Sequence, residues 1–368
     1  MAEQLFIELL QVAVGRRACL SRAPSEEEWE ELFALAVKHV MLGVCYYAIQ
    51  RINVQEQVPE QELLYKWYHV TESIRYTNEV LNKRCRKVQK KFREAGIRSS
   101  ILKGQGIGKY YGKELSQYRQ SGDIDIYVDC GLEGALKFAH DSGIKIPHWD
   151  FKHLHLDVFR DTEVEVHYHV EVLINLYKNR KLQRWFKANE ELLFSQHEDL
   201  VIPTLAFNRF YILLHIYRHF LYEGVGMRQL LDYFFVLQKD YSDAEKNENS
   251  IDIIGVLNYF GMMRFTRGIM WVMQEVFALD KQYMYCEPLE SEGRFILNEV
   301  MMGGNFGNYD ERISFKTKGT LFSALAKCKH SLYLVWHYPS EVFWPPVWMI
   351  WHRFWKLQKK MKLAMRKQ

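Results

Sequence analysis

The stretch Gly122-Asp123-Ile124-Asp125-Ile126-Tyr127-Val128 constrains this chain more than any other. Successive side chains of a strand point to opposite faces. A strand here sends Ile124, Ile126 and Val128 to one face and Asp123 and Asp125 to the other. Core packing on one side and paired hard oxygen ligands on the other is what a Mg²⁺-dependent phosphoryl-transfer site needs.

A second segment repeats the pattern. In Glu163-Val164-Glu165-Val166-His167-Tyr168-His169-Val170 the odd positions are Glu, Glu, His and His, and the even ones are apolar or aromatic. The run His153-Leu154-His155-Leu156-Asp157-Val158-Phe159 alternates in the same way, and Arg160-Asp161-Thr162 between them reads as a hairpin turn. One alternative is a half-exposed sheet with solvated charges. The in-phase Glu165 after an Asp-x-Asp strand argues against it.

Upstream, Arg98 to Lys109 reads as a strand, a Gly-rich turn and a short helix. It is no Walker A loop: only three residues lie between Gly104 and Gly108, where four are needed, and Tyr110 follows Lys109. It is no Rossmann turn either, because the glycines run 104, 106, 108. Exposed N–H groups at a helix start, with Lys103 nearby, still favour an anionic ligand.

Lys103-Gly104, Tyr110 or Tyr111, Arg119 and Gly122-Asp123-Ile124-Asp125, then Glu165-Val166-His167, resemble the pattern of an uncharacterised bacterial nucleotidyltransferase family of the DNA polymerase beta-like superfamily. His215, His219, Gly224, Arg228 and Asp232 match its helical signature. The resemblance covers roughly residues 30 to 275. Abortive-infection nucleotidyltransferase toxins share a similar layout. The chain departs from the wider superfamily in having Lys-Gly where Gly-Ser is usual, and in a longer gap to Asp123.

The organisation expected is helix, sheet, helix: a helical region over 1–95, a nucleotidyltransferase α/β core over 96–200 and a helical region over 201–368. Ser25 followed by three Glu predicts a capped helix start. Breaks are expected near Pro59, Gly224, Gly303-Gly304 and Pro345-Pro346. Six cysteines with no Cys-x-x-Cys pair argue against a structural zinc and a disulfide framework, and point to the cytoplasm. The acidic N-terminal stretch reads as an amphipathic helix rather than a signal peptide.

His215 and His219 share a helix face, but the Glu of a zincin motif is missing, which favours a structural role or a nucleotide contact. Arg228 and Asp232 read as a helix ion pair or, for Arg228, a phosphate contact. Trp344, Trp348, Trp351 and Trp355 form one stripe of a helix, followed by bases. Without the seven bases of residues 353–368 the formal charge of +4 becomes −3. This order favours a helix docked through its Trp stripe on the preceding helices. It gives no strong support for a nucleic-acid or membrane partner.

The fold expected is α+β, a small mixed nucleotidyltransferase sheet flanked by helical regions. The resemblance implies transfer of a nucleoside monophosphate from an NTP to an unidentified acceptor: a small molecule, a sugar or a protein. The mechanism would use two Mg²⁺ or Mn²⁺ ions held by Asp123 and Asp125, with Glu165 completing the one bound to the acceptor oxygen. Lys103, Gly104, Arg119, Ser121 and Arg228 would bind the nucleotide, with His167 beside the metal ligands or the acceptor. Another phosphoryl transfer on the same site, and a non-catalytic nucleotide-binding or antitoxin-like module, stay open.

Overall fold

A computed structural model describes residues 2–239, 251–310 and 333–365. The architecture is α+β, with a four-stranded mixed sheet, a two-stranded hairpin, and helices before and after them. Helices α1 (Ala2–Ala13), α2 (Glu26–Lys38), α3 (Leu42–Ile49) and α4 (Gln61–Glu94) come first. Next come β1 (Ser99–Ile101), β2 (Ile124–Val128), α5 (Gly131–Asp141), β3 (His153–Leu156) and β4 (Val164–His167). Helix α6 (Leu176–Ala188) leads to the hairpin of β5 (Ser195–His197) and β6 (Leu200–Ile202). Helices α7 (Leu205–Tyr222), α8 (Met227–Gln238), α9 (Ile253–Tyr259), α10 (Met263–Phe277), α11 (Glu290–Gly303) and α12 (Trp344–Met365) follow.

The chain forms two units. One contains Met1–Lys87, Lys103–Gly122 and Pro203–Asp310; the other contains Val88–Leu102, Asp123–Ile202 and Glu311–Gln368. The first unit is helical. Helix α2 starts as its sequence dictates: the Ser25 hydroxyl accepts from the Glu28 N–H, and the Glu28 carboxylate accepts from the Ser25 N–H at 3.0 Å. Helix α7 is buried on nearly every side, as expected of a helix that is apolar all round. Phe210 stacks on Phe260, and Tyr217 and Phe220 both meet Phe265.

The second unit contains the sheet, in the order β1-β2-β4-β3. Strands β2 and β4 are parallel, with Asp125 beside Glu165 and Tyr127 beside His167. Strands β1 and β3 flank them antiparallel, which sets His155 opposite Glu165 and His153 opposite His167. The alternation divides the faces as the sequence requires. Ile124, Ile126, Val128, Leu154, Leu156, Val164 and Val166 are all buried. Each such side chain contributes on the order of 1.5–3 kcal/mol of burial free energy. A one-residue slip would turn every one of them to the opposite face, so the core fixes the register.

Two features differ from the sequence-based expectation. The β5–β6 hairpin is additional. It is held by Gln89, whose side-chain amide accepts from the Val201 N–H at 3.1 Å and donates to the Val201 carbonyl at 2.8 Å. The break expected near Pro345 and Pro346 is present: a short helix Pro339–Val342 ends there and α12 begins at Trp344, with both prolines in its first turn, where a missing N–H costs nothing. The Trp stripe is half-buried, with its rings set around Phe151 in the segment before β3, and Trp351 also faces residues of α6 across a cleft. Trp351 lies 4.9 Å from that ring edge-on, a favourable aromatic geometry. The buried carboxylate of Glu341 anchors the start of this segment through an ion pair to Lys178 at 2.5 Å. Cys328, Arg366 and Lys367 lie outside the described residues; the five described cysteines are free thiols.

Candidate active site

The parallel register of β2 and β4 carries three acids to the open face of the sheet. Asp123 and Asp125 belong to β2 and its entry, and Glu165 lies on β4 directly beside Asp125. Oxygens of all three come within 4.8 Å of one another. Asp123 is solvent-accessible, whereas Asp125 is only 4% exposed. Carboxylates this close repel by a few kcal/mol per pair, even at an effective dielectric constant of about 20. Such an arrangement is favoured when a cation sits among the oxygens. Three hard oxygen donors fit Mg²⁺ or Mn²⁺ by type.

Imidazoles adjoin the acids. The Nε2 of His167 lies 2.8 Å from Asp125 Oδ1 and 3.4 Å from Glu165 Oε2. Among the described residues His167 Nδ1 is buried without a hydrogen-bond partner. The proton therefore belongs on Nε2, where it is donated to the carboxylates. His153 Nδ1 is 3.7 Å from Glu165, and its Nε2 faces His155 Nε2 at 3.1 Å. His155 is in turn bonded to Glu163 at the sheet edge.

The electrostatics follow from these contacts. Burial pushes the Glu165 carboxyl up. The hydrogen bond and attraction of His167, together with His153, outweigh both burial and the repulsion from Asp125, and hold it below the usual carboxylate range. Burial, reinforced by the neighbouring His167, holds His153 below the usual imidazole range despite Glu165 and Asp150 nearby. Glu165 is thus ionised at neutral pH and His153 neutral. Glu165 therefore holds charge and is not tuned to trade protons near pH 7.

The remaining candidates occupy different places. Lys103 follows Leu102, whose N–H donates to the Asp125 carbonyl at 3.0 Å. Gly104 adopts φ +54° and ψ −113°, a conformation that favours glycine, and starts the helical turn Gln105–Gly108. Arg119 and Ser121 come together in a buried network. The Arg119 guanidinium donates to both oxygens of Asp232, at 2.7 and 2.8 Å, and to the Ser121 hydroxyl. Asp232 also accepts from the Tyr111 hydroxyl at 2.6 Å. Arg228 donates to the Gln120 carbonyl at 3.0 Å. Asn78 of α4 grips the same segment, donating to the carbonyls of Gln117 and Arg119. These residues hold the loop that leads into β2. His215 and His219 are in ring contact on α7, and His219 Nδ1 pairs with Glu223 at 2.8 Å.

Sequence reasoning did not single out Tyr111 as a partner of Asp232, nor Asn78. The Arg119–Asp232 pair spans 113 residues, and no local pattern marks it. His153 and His155 were visible as the polar side of an alternating run.

Residues 25–278 match the family described as an uncharacterised nucleotidyltransferase. The chain belongs to that family. The matched span contains every candidate site residue from Lys103 to Asp232, and α12 lies beyond it. No curated protein and no solved structure matches the chain.

Proposed function

We propose that the protein transfers a nucleoside monophosphate from an NTP to an acceptor, commonly a hydroxyl, using Mg²⁺ or Mn²⁺ held at Asp123, Asp125 and Glu165. The observation that carries this is the convergence of those three carboxylates on one face of β2 and β4 in a family of nucleotidyltransferases. Bound there, the ions would supply positive charge to the phosphates and lower the pKa of an acceptor hydroxyl. Asp123, near the solvent end, and Asp125, within the strand, offer their oxygens from one face. Glu165 completes the set, and its depressed pKa makes it a better cation ligand than a general base. His167 fixes the orientation of Asp125 through its Nε2–H. Lys103 and the Gly104 N–H are the proposed phosphate contacts. Arg119, Ser121 and Arg228 serve by holding the loop before β2 in place. The free thiols suit a cytoplasmic enzyme.

The test is a panel of the four NTPs with Mg²⁺ or Mn²⁺ and candidate acceptors, read by pyrophosphate release and by product mass. Added nucleotide mass supports the proposal. Added phosphate mass would show a kinase-like transfer, and NTP binding without turnover a non-catalytic module.

A further inference from the structure

Helix α12 carries two apolar edges, and one of them faces solvent. The first is the Trp edge around Phe151. The second consists of Phe343, just ahead of the helix, with Val347, Ile350, Phe354, Leu357 and Met361. Their spacings of four, three, four, three and four residues place them in one row. Phe343 is 67% exposed, Ile350 61% and Phe354 64%, and Leu357 and Met361 are both 58%. A continuous apolar row of this length on a protein surface marks an interaction site rather than ordinary exposure.

The charge carried by α12 and α6 is one-sided. Residues 342–368 contain seven bases and no acid. Helix α6 adds Lys178, Arg180, Lys181, Arg184 and Lys187, again with no acid. Three of these, Arg180, Arg184 and Lys187, line a cleft of about 500 Å³ together with Phe151 and Trp351. The bases of α6 thus adjoin the Trp edge of the same helix that carries the apolar row. No helix among the described residues is long and apolar enough to cross a membrane.

We propose that α12 and α6 form a peripheral docking surface for an anionic phospholipid bilayer. The row from Phe343 to Met361 enters the acyl boundary, and the bases of α12 and α6 meet headgroup phosphates. This explains both halves of the pattern. A second copy on the same row would bring two basic surfaces together. A nucleic acid would satisfy the bases but leave the aliphatic Val347, Ile350, Leu357 and Met361 exposed to water. The inference rests on α12 and α6 alone and is independent of the catalytic proposal.

The experiment is flotation of the full chain with vesicles of phosphatidylcholine, with and without phosphatidylglycerol. The expected result is binding to the anionic vesicles only, weakened by added salt. Ile350→Glu with Phe354→Glu, both at exposed positions, should weaken it about tenfold or more at an unchanged melting temperature. Arg180→Gln with Arg184→Gln should weaken it on anionic vesicles too. Absence of vesicle binding, or binding indifferent to the Ile350/Phe354 pair, would overturn the proposal. So would light scattering that shows a dimer which the Ile350/Phe354 pair converts to monomer, or an RNA oligonucleotide bound with the same sensitivity to that pair.

Discussion

The Nε2 of His167 lies 2.8 Å from the Oδ1 of Asp125, and both side chains are almost wholly buried on adjacent parallel strands. A buried carboxylate needs donors or cations to offset its lost hydration. His167 supplies one donor, and it sets which way the carboxylate turns. The imidazole is thus a positioning residue for the acid beside it.

Replacing His167 with Ala should leave Asp125 misdirected and short of a donor. The expected result is Mn²⁺ affinity, measured by calorimetry with a non-hydrolysable NTP analogue, lowered roughly 10–100-fold. Stability should fall by about 1–3 kcal/mol, the cost of a buried polar group left unsatisfied. Unchanged metal affinity in a folded variant would mean that His167 merely fills space.

The Arg119–Asp232 pair gives a prediction of a different kind. Both side chains are buried, and the guanidinium engages both carboxylate oxygens. Arg119→Ala should cost about 3–5 kcal/mol by urea unfolding, because it strands a buried carboxylate. Arg119→Lys should not restore this, since an ammonium cannot make the two-pronged contact. A variant that loses NTP affinity at wild-type stability would instead return Arg119 to the nucleotide.

How much of this was legible in sequence depends on the reach of each signal. The alternation around Asp123, Asp125 and Glu165 is local and has a period of two, so it gave strand, face and phase together. The Ser25 box is a three-residue signal and was equally readable. Arg119 was visible as one position of the family pattern, but its pairing with Asp232 was not, because that partner lies far along the chain on α8. The β5–β6 hairpin escaped notice because Ser195–His197 is short and polar, and Gln89 of α4 supplies part of its hydrogen bonding. The Trp stripe was readable as a stripe, but its periodicity says nothing about Phe151 as the partner.

His39 makes stability depend on pH. It is fully buried against Phe6, and among the described residues neither ring nitrogen has a hydrogen-bond partner. Burial, with a smaller contribution from the Lys38 charge, lowers its pKa from the ordinary 6.5 to about 3. The unfolded chain therefore takes up a proton near pH 6.5 that the folded chain refuses until about pH 3. Stability from this residue is complete above the unfolded pKa and is lost as pH falls toward the folded one. Between about pH 7 and about pH 5 the loss should be on the order of 2 kcal/mol. His39→Leu should remove that part of the slope in urea titrations at the two pH values. Parallel slopes for variant and wild type would show that His39 is not the group responsible.

The most direct test of the central claim is NTP turnover by Asp123→Asn and Asp125→Asn beside the wild type, with Mg²⁺ or Mn²⁺ and a confirmed acceptor. Each change keeps the shape of the side chain and removes the charge that holds the cation. The expected result is divalent-dependent turnover in the wild type and a loss of about a thousandfold or more in each variant, since removing metal-held transition-state charge costs several kcal/mol. Circular dichroism should be unchanged in both. Near wild-type turnover in either folded variant would contradict the assignment of Asp123, Asp125 and Glu165 as the metal centre.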